Sequence, residues 1–172
     1  SRAVVASLGG GKICEKIDVL EQLLPKVDGL LIGGAMVCTF YKAMGLEISK
    51  SLVEEDRVSM ARDLLERAGM KLTLPHDAMV APSLEQARAA KAVPRSAIPK
   101  DQAMFDIGPE TIASYSRAIA SAKTVSWNGT MGVFATPPFD ARPRAYAEDR
   151  ANRTAKSRTT TGSGGERARA QP

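Results

Sequence analysis

The sequence predicts an α/β fold, with a mainly parallel sheet covered by helices on both faces. Three observations carry this. Short apolar runs alternate with segments of helical period through residues 1–139. Three of the apolar runs end in glycine-rich turns, at Gly9–Gly11, at Gly33-Gly34, and at Gly129 with Gly132. The composition then changes abruptly after Phe139.

The elements follow in order. Ala3–Leu8 reads as a buried strand. Ile13, Ile17, Leu20 and Leu24 recur at helical spacing until Pro25 stops the helix. Gly29–Ile32 is a second buried strand, and a helix from about Met36 to Met44 is closed by Gly45. Ser51-Leu52-Val53-Glu54 has the form of a capping box. It predicts a helix with Val58, Ala61, Leu65 and Ala68 inside and Gly69 at its end. Lys71–Leu74 and Asp77–Ala81 are short strands, and residues 82–102, with Pro82, Pro94 and Pro99, read as a surface loop with room for one helical turn. Met104–Ile107 is another strand. Pro109 opens a helix that turns Ile112, Tyr115 and Ile119 inward, and Thr124–Trp127 is the last strand.

The chain has 172 residues and a net charge of +5. From Asp140 to Pro172 there are eight Lys or Arg against four Asp or Glu, so four of the five net charges lie in this tail. The tail contains no Val, Ile, Leu, Met, Phe or Trp. Such a segment buries too little apolar surface to offset its ordering entropy, which predicts disorder. Cys14 and Cys38 have no metal-ligand spacing. No apolar run reaches membrane-spanning length, and no signal-peptide pattern is seen, so the expected setting is cytoplasmic with no membrane partner.

Chemistry concentrates at Leu8-Gly9-Gly10-Gly11-Lys12, with Lys16 one turn on. Glycines admit close backbone approach, and a helix N-terminus suits phosphate. Lys12 and Lys16, four apart, share a helix face, where an anion would relieve their repulsion. The competing reading is two solvated lysines screened by Glu15 and Asp18. A Walker A loop does not fit, because Ala6 and Ile13 stand where Gly and Ser or Thr are needed, and a G-x-G-x-x-G starting at Gly9 would end on Cys14. Ligands in parallel α/β folds bind beyond the carboxyl ends of the strands, where all three glycine turns fall. His76, Trp127 and the methionines read as structural. Glu54-Glu55-Asp56 reads as ordinary acids at a helix start.

These blocks resemble the phosphoglycerate kinase family, at its carboxy-terminal, nucleotide-binding domain. Leu8-Gly9-Gly10-Gly11-Lys12 with Lys16 is similar to the family's L-G-G-[AS]-K-x-x-x-K loop. Leu31-Ile32-Gly33-Gly34-Ala35-Met36 with Thr39-Phe40 is similar to its I-G-G-G-M-x-x-T-F segment. Ser51-Leu52 with Glu54-Glu55, Leu74-Pro75 with Asp77, Asp106-Ile107-Gly108-Pro109-Glu110-Thr111 and Val125-Ser126-Trp127-Asn128-Gly129 fit further blocks in order. The resemblance covers about residues 3–139.

It implies a Rossmann-like domain, incomplete relative to the family's, and phosphoryl transfer between ATP and the carboxylate of 3-phosphoglycerate with Mg2+. It also implies that Lys12 and Lys16 are catalytic, and that Gly10, Gly11, Gly34, Asn128 and Gly132 surround the nucleotide. Four departures accompany it. The amino-terminal, 3-phosphoglycerate-binding domain has no counterpart here. Ala135 stands where the family has a ribose-binding Glu. Met104 aligns with a glycine of the adenine slot. The G-G-G-D-[ST] loop is missing, the nearest stretch being Gly162-Ser163-Gly164-Gly165-Glu166. A slip of the coding frame near Asp140 would account for the tail. The expectation is a chain without turnover by itself, able to hold ADP or ATP. The alternatives are a non-enzymatic fragment, or nucleic-acid binding by the basic tail, which would be weak and salt-sensitive without stacking aromatics.

Overall fold

The computed structural model describes residues 4–129 and 158–161. Its centre is β1 (Val4–Leu8), whose residues from Val5 onward are all buried. A strand buried on both faces belongs inside a parallel sheet, and β1 pairs in parallel with β2 (Gly29–Ile32) on one side and β7 (Thr124–Asn128) on the other. β3 (Leu72–Thr73) and β8 (Arg158–Thr161) complete the order β3-β2-β1-β7-β8.

The predicted parallel sheet is therefore present, but it is not alone. β4 (Asp77–Ala81) leaves it to lie between β5 (Lys91–Pro94) and β6 (Ala103–Ile107) in a second, antiparallel sheet. The loop expected over 82–102 thus contains β5, together with a 3-10 turn at Ala87–Ala89. Pro94 ends an edge strand, where a missing N–H interrupts no central ladder. The disorder expected over 140–172 is corrected at residues 158–161. Thr159, Thr160 and Thr161 are β-branched, and the open edge of β7 offers them unpaired backbone groups. The rest of the tail lies outside the described residues.

Helix α1 (Ile13–Leu23) buries Ile13 and Leu20. Its N-cap is Lys12, in extended conformation, so only Lys16 of the lysine pair lies within the helix, and the shared helix face is corrected. α2 (Val37–Ala43) is buried from Val37 through Tyr41 and has no polar stripe. α3 (Val58–Ala68) packs on α2 and buries Ala61, Leu64 and Ala68, with Leu65 half-buried. The expected capping box at Ser51 does not form. A 3-10 turn at Glu55–Arg57 precedes α3, and the Ser51 hydroxyl instead accepts the Met104 N–H at 3.0 Å.

α4 (Pro109–Ser121) begins on Pro109, as predicted. Its first turn is capped from another element: buried Asp77 accepts the N–H groups of Glu110 (3.0 Å) and Thr111 (2.9 Å) and the Thr111 hydroxyl (2.5 Å). Tyr115 reaches from α4 to the ends of β2 and β3, its hydroxyl 2.6 Å from the Ile32 carbonyl oxygen and 3.0 Å from that of Thr73. One apolar core joins both sheets and all four helices, with Leu8, Leu20, Phe40, Leu64, Val80 and Tyr115 among its members.

Candidate functional site

Beyond the carboxyl ends of β1, β2 and β7 the chain turns three times within a few ångströms. The Gly9 N–H donates to the Asn128 carbonyl at 2.8 Å, the Gly33 N–H to the Leu8 carbonyl at 2.9 Å, and the Met36 N–H to the Gly10 carbonyl at 3.1 Å. Gly34 and Gly129 have φ of +79° and +80°. A Cβ on Gly34 would run into the Gly10 backbone, and one on Gly129 into the Gly9 carbonyl. The glycines at these two turns are therefore required by left-handed backbone and by contact at once.

The turns after β1 and β2 form one wall of a cavity of about 640 Å3. Gly10, Gly11, Gly34 and Ala35 line it from the parallel sheet, and Ala103, Met104, Phe105 and Asp106 from β6. Lys50 and Leu52 come from the connection between α2 and α3, and Pro82, Ser83 and Leu84 follow β4. Leu52 is 76 % exposed and Leu84 40 % exposed, so apolar side chains stand at the mouth. Such a volume, apolar with a few polar groups, suits a small-molecule ligand.

Of the residues singled out in the sequence, Gly10, Gly11, Gly34 and Met104 line the cavity. Met104 is buried, its sulfur 4.0 Å from that of Cys38. Lys16 is half-buried. Its stem crosses Gly10 so closely that a Cβ there would lie 2.8 Å from Cε, and its ammonium donates to Asn128 Oδ1 at 2.6 Å. Lys12 is exposed at the start of α1, and none of Lys12, Lys16 and Asn128 is among the lining residues; Lys16 adjoins the cavity through Gly10. Gly132 and Ala135 lie outside the described residues.

The first turn of α1 is not an open anion site. The Glu54 carboxylate accepts its N–H groups, at Ile13 through Oε1 and at Cys14 through Oε2 at 3.4 Å. The same carboxylate pushes the exposed Cys14 thiol above its usual pKa, first by accepting its hydrogen bond and then by its negative charge. Sequence reasoning gave no site role to Glu54, Lys50, Phe105 or Asp106, although Glu54 and Asp106 stand within the family-like blocks. Lys50 directly precedes the Ser51-Leu52 block, which was the signal available for it. Nothing local marks Glu54 as a partner of residues 40 positions away.

Among the described residues no three His, Cys, Asp or Glu side chains converge as metal ligands. No helix among them is long and apolar enough to cross a membrane.

The comparisons agree with this architecture. A phosphoglycerate kinase from Chlorobium phaeobacteroides is 48 % identical over 172 residues, covering 98 % of this chain and 43 % of that protein. One from Thermus thermophilus is 50 % identical over 142 residues, covering 81 % of this chain and 36 % of the other. The solved phosphoglycerate kinase of Coxiella burnetii superposes with a TM-score of 0.86 at 37 % identity, over 94 % of this chain and 42 % of that structure. The chain thus spans about two-fifths of the length of these relatives. The family model described as Phosphoglycerate kinase matches residues 1–171, the tail included, and the chain belongs to that family.

Proposed function

We propose that residues 1–139 are the nucleotide-binding, carboxy-terminal part of a phosphoglycerate kinase, with 140–172 as a basic tail, and that the glycine-lined cavity takes ADP or ATP. The observation that carries this reading is the meeting of Gly10, Gly11 and Gly34 along one wall of the cavity, with the Lys16 stem across Gly10. Glycine backbone at that wall admits phosphate oxygens closely. Lys16, oriented by Asn128, supplies a cation beside them, and Lys12, exposed at the N-cap of α1, directly follows the same loop. The apolar wall of Leu52, Met104 and Phe105 suits a base, with Met104 narrowing the slot.

Phosphoryl transfer asks for placement and charge neutralisation more than for covalent chemistry by the protein. In this reading Lys16 offsets charge on the transferring group, and 3-phosphoglycerate is the acceptor in the whole enzyme. Mg2+ would enter as part of the nucleotide chelate and supply charge neutralisation at the phosphates. Turnover is expected only when a 3-phosphoglycerate-binding part is also present.

Calorimetric titration of the chain with MgADP, against Lys16→Ala, tests the reading. Binding that weakens at least tenfold in the variant supports it. Equal binding by both removes Lys16 from the site, and no heat from the folded wild type at millimolar nucleotide refutes the assignment.

A further inference from the structure

We propose that Glu54 is a positioning residue for this site: from the connection between α2 and α3 it caps the first turn of α1 and so sets the Lys16 side chain across Gly10. The proposal rests on the nucleotide reading of the cavity.

The geometry is specific. Glu54 Oε1 accepts the Ile13 N–H, and Oε2 takes the Cys14 N–H at 3.4 Å. These two amides are the first of α1, immediately after the Gly9–Gly11 loop. The Glu54 N–H in turn donates to Thr39 Oγ1 at 3.1 Å, and Thr39 is buried in α2. The carboxylate is thus anchored to the element that follows Gly34 while it holds the element that follows Gly11. The two loops of the glycine wall are tied together through one residue, by its carboxylate on one side and its backbone N–H on the other. A carboxylate here also fills the positive end of α1, so nucleotide phosphate is directed to Lys16 and the glycine backbone rather than to the helix terminus.

One methylene fewer or a lost charge should therefore loosen the placement of Lys16 although neither change touches the ligand. Cys14 reports on the cap independently. The groups that act on its thiol are Glu54 and Glu15, which favour the protonated form, and Arg57, which opposes them.

The experiment compares wild type, Glu54→Gln, Glu54→Asp and Lys16→Ala in the full chain, with circular dichroism confirming the fold of each. MgADP affinity is measured by calorimetry. The pH dependence of Cys14 alkylation by iodoacetamide is followed in parallel, with Cys38→Ala as the common background. The expected result for Glu54→Gln is a roughly tenfold loss of MgADP affinity, with the alkylation midpoint moved to lower pH; Glu54→Asp falls between it and wild type. Two results overturn the proposal. One is an unchanged Cys14 midpoint in Glu54→Gln, which removes the cap. The other is wild-type MgADP affinity in Glu54→Gln while Lys16→Ala binds weakly, which leaves the nucleotide site standing and Glu54 without a part in it. A wild type that binds no MgADP instead fails the nucleotide reading itself, and the role of Glu54 falls with it.

Discussion

Gly34→Ala and Gly45→Ala form a matched pair that isolates the packing of the two site loops. The two glycines have nearly the same backbone, with φ of +79° and +81°. A left-handed conformation costs an L-residue about 1–2 kcal/mol, whichever position it occupies. Replacing glycine also narrows the unfolded ensemble, which returns about 0.4–1 kcal/mol in both variants. The surroundings differ. A Cβ at Gly45 meets nothing within 4 Å, whereas at Gly34 it would lie 3.0 Å from the Gly10 carbonyl carbon and closer still to its oxygen and nitrogen. Backbone atoms cannot rotate away as a side chain does, so the loops must separate, at about 1–3 kcal/mol beyond the shared terms. Gly45→Ala should therefore lose about 0–1.6 kcal/mol. Gly34→Ala should lose about 1–4.6 kcal/mol, always about 1–3 more than its matched partner. Urea unfolding followed by the fluorescence of Trp127, the single tryptophan, reads the difference as a midpoint lower by about 1 M in Gly34→Ala. MgADP binding should fall in Gly34→Ala alone, because Gly10 moves. Equal midpoints for the two variants would refute the contact between the Gly10 and Gly34 loops as a source of stability.

Asp77→Ala removes the acceptor of three donors at the start of α4 in a site that is 4 % exposed, and should cost about 3 kcal/mol. Calorimetry should show the melting temperature lowered by about 6–12 °C, with Asp77→Asn losing less because one oxygen still accepts. Burial pushes the Cys38 thiol up from 9.0 to about 11, so the neutral form is favoured in the folded chain. The stability this contributes is complete below pH 9 and is lost as pH rises toward 11. Unfolding midpoints measured from pH 8 to 11 should fall less steeply in Cys38→Ala than in wild type, although a decline from Tyr41, whose pKa burial also raises, should persist in both.

What was legible in the sequence was whatever a single element carries by itself. β2 and β4 stand where their apolar runs placed them, because a buried parallel or central strand is a run of hydrophobic residues between turn signals. α4 starts on Pro109 because that residue costs nothing at a helix start. The second sheet was hidden by sign rather than by length. β4 is short and apolar like its neighbours, and nothing within Asp77–Ala81 says whether its partners run parallel or antiparallel. β5 was hidden by its edge position, where Lys91 and Pro94 serve an edge strand and also resemble a loop. The three threonines of β8 sat in a stretch whose average composition outweighed their own β preference.

The site divides along the same line. Glycines announce themselves in a sequence, and Gly10, Gly11 and Gly34 were found that way, although only Gly34 of the three combines left-handed backbone with contact against another loop; Gly10 faces the Lys16 stem, and a Cβ on Gly11 would meet nothing within 4 Å. Glu54 was visible too, but its partner was read wrongly. In Ser51-Leu52-Val53-Glu54 the spacing satisfies a rule for a local cap, and the rule assumes that the helix starts at once. Here a 3-10 turn intervenes and α3 starts at Val58, which frees both side chains for distant amides: Ser51 for Met104, and Glu54 for Ile13 and Cys14. Met104 lines the cavity, and Ile13 and Cys14 open the helix that follows the lining residues Gly10 and Gly11. The segment that fails as a local cap is therefore the one that draws β6 and α1 onto the same pocket. Replacing Ser51 by Ala should loosen the Met104 side of the cavity just as Glu54→Gln loosens the Lys16 side.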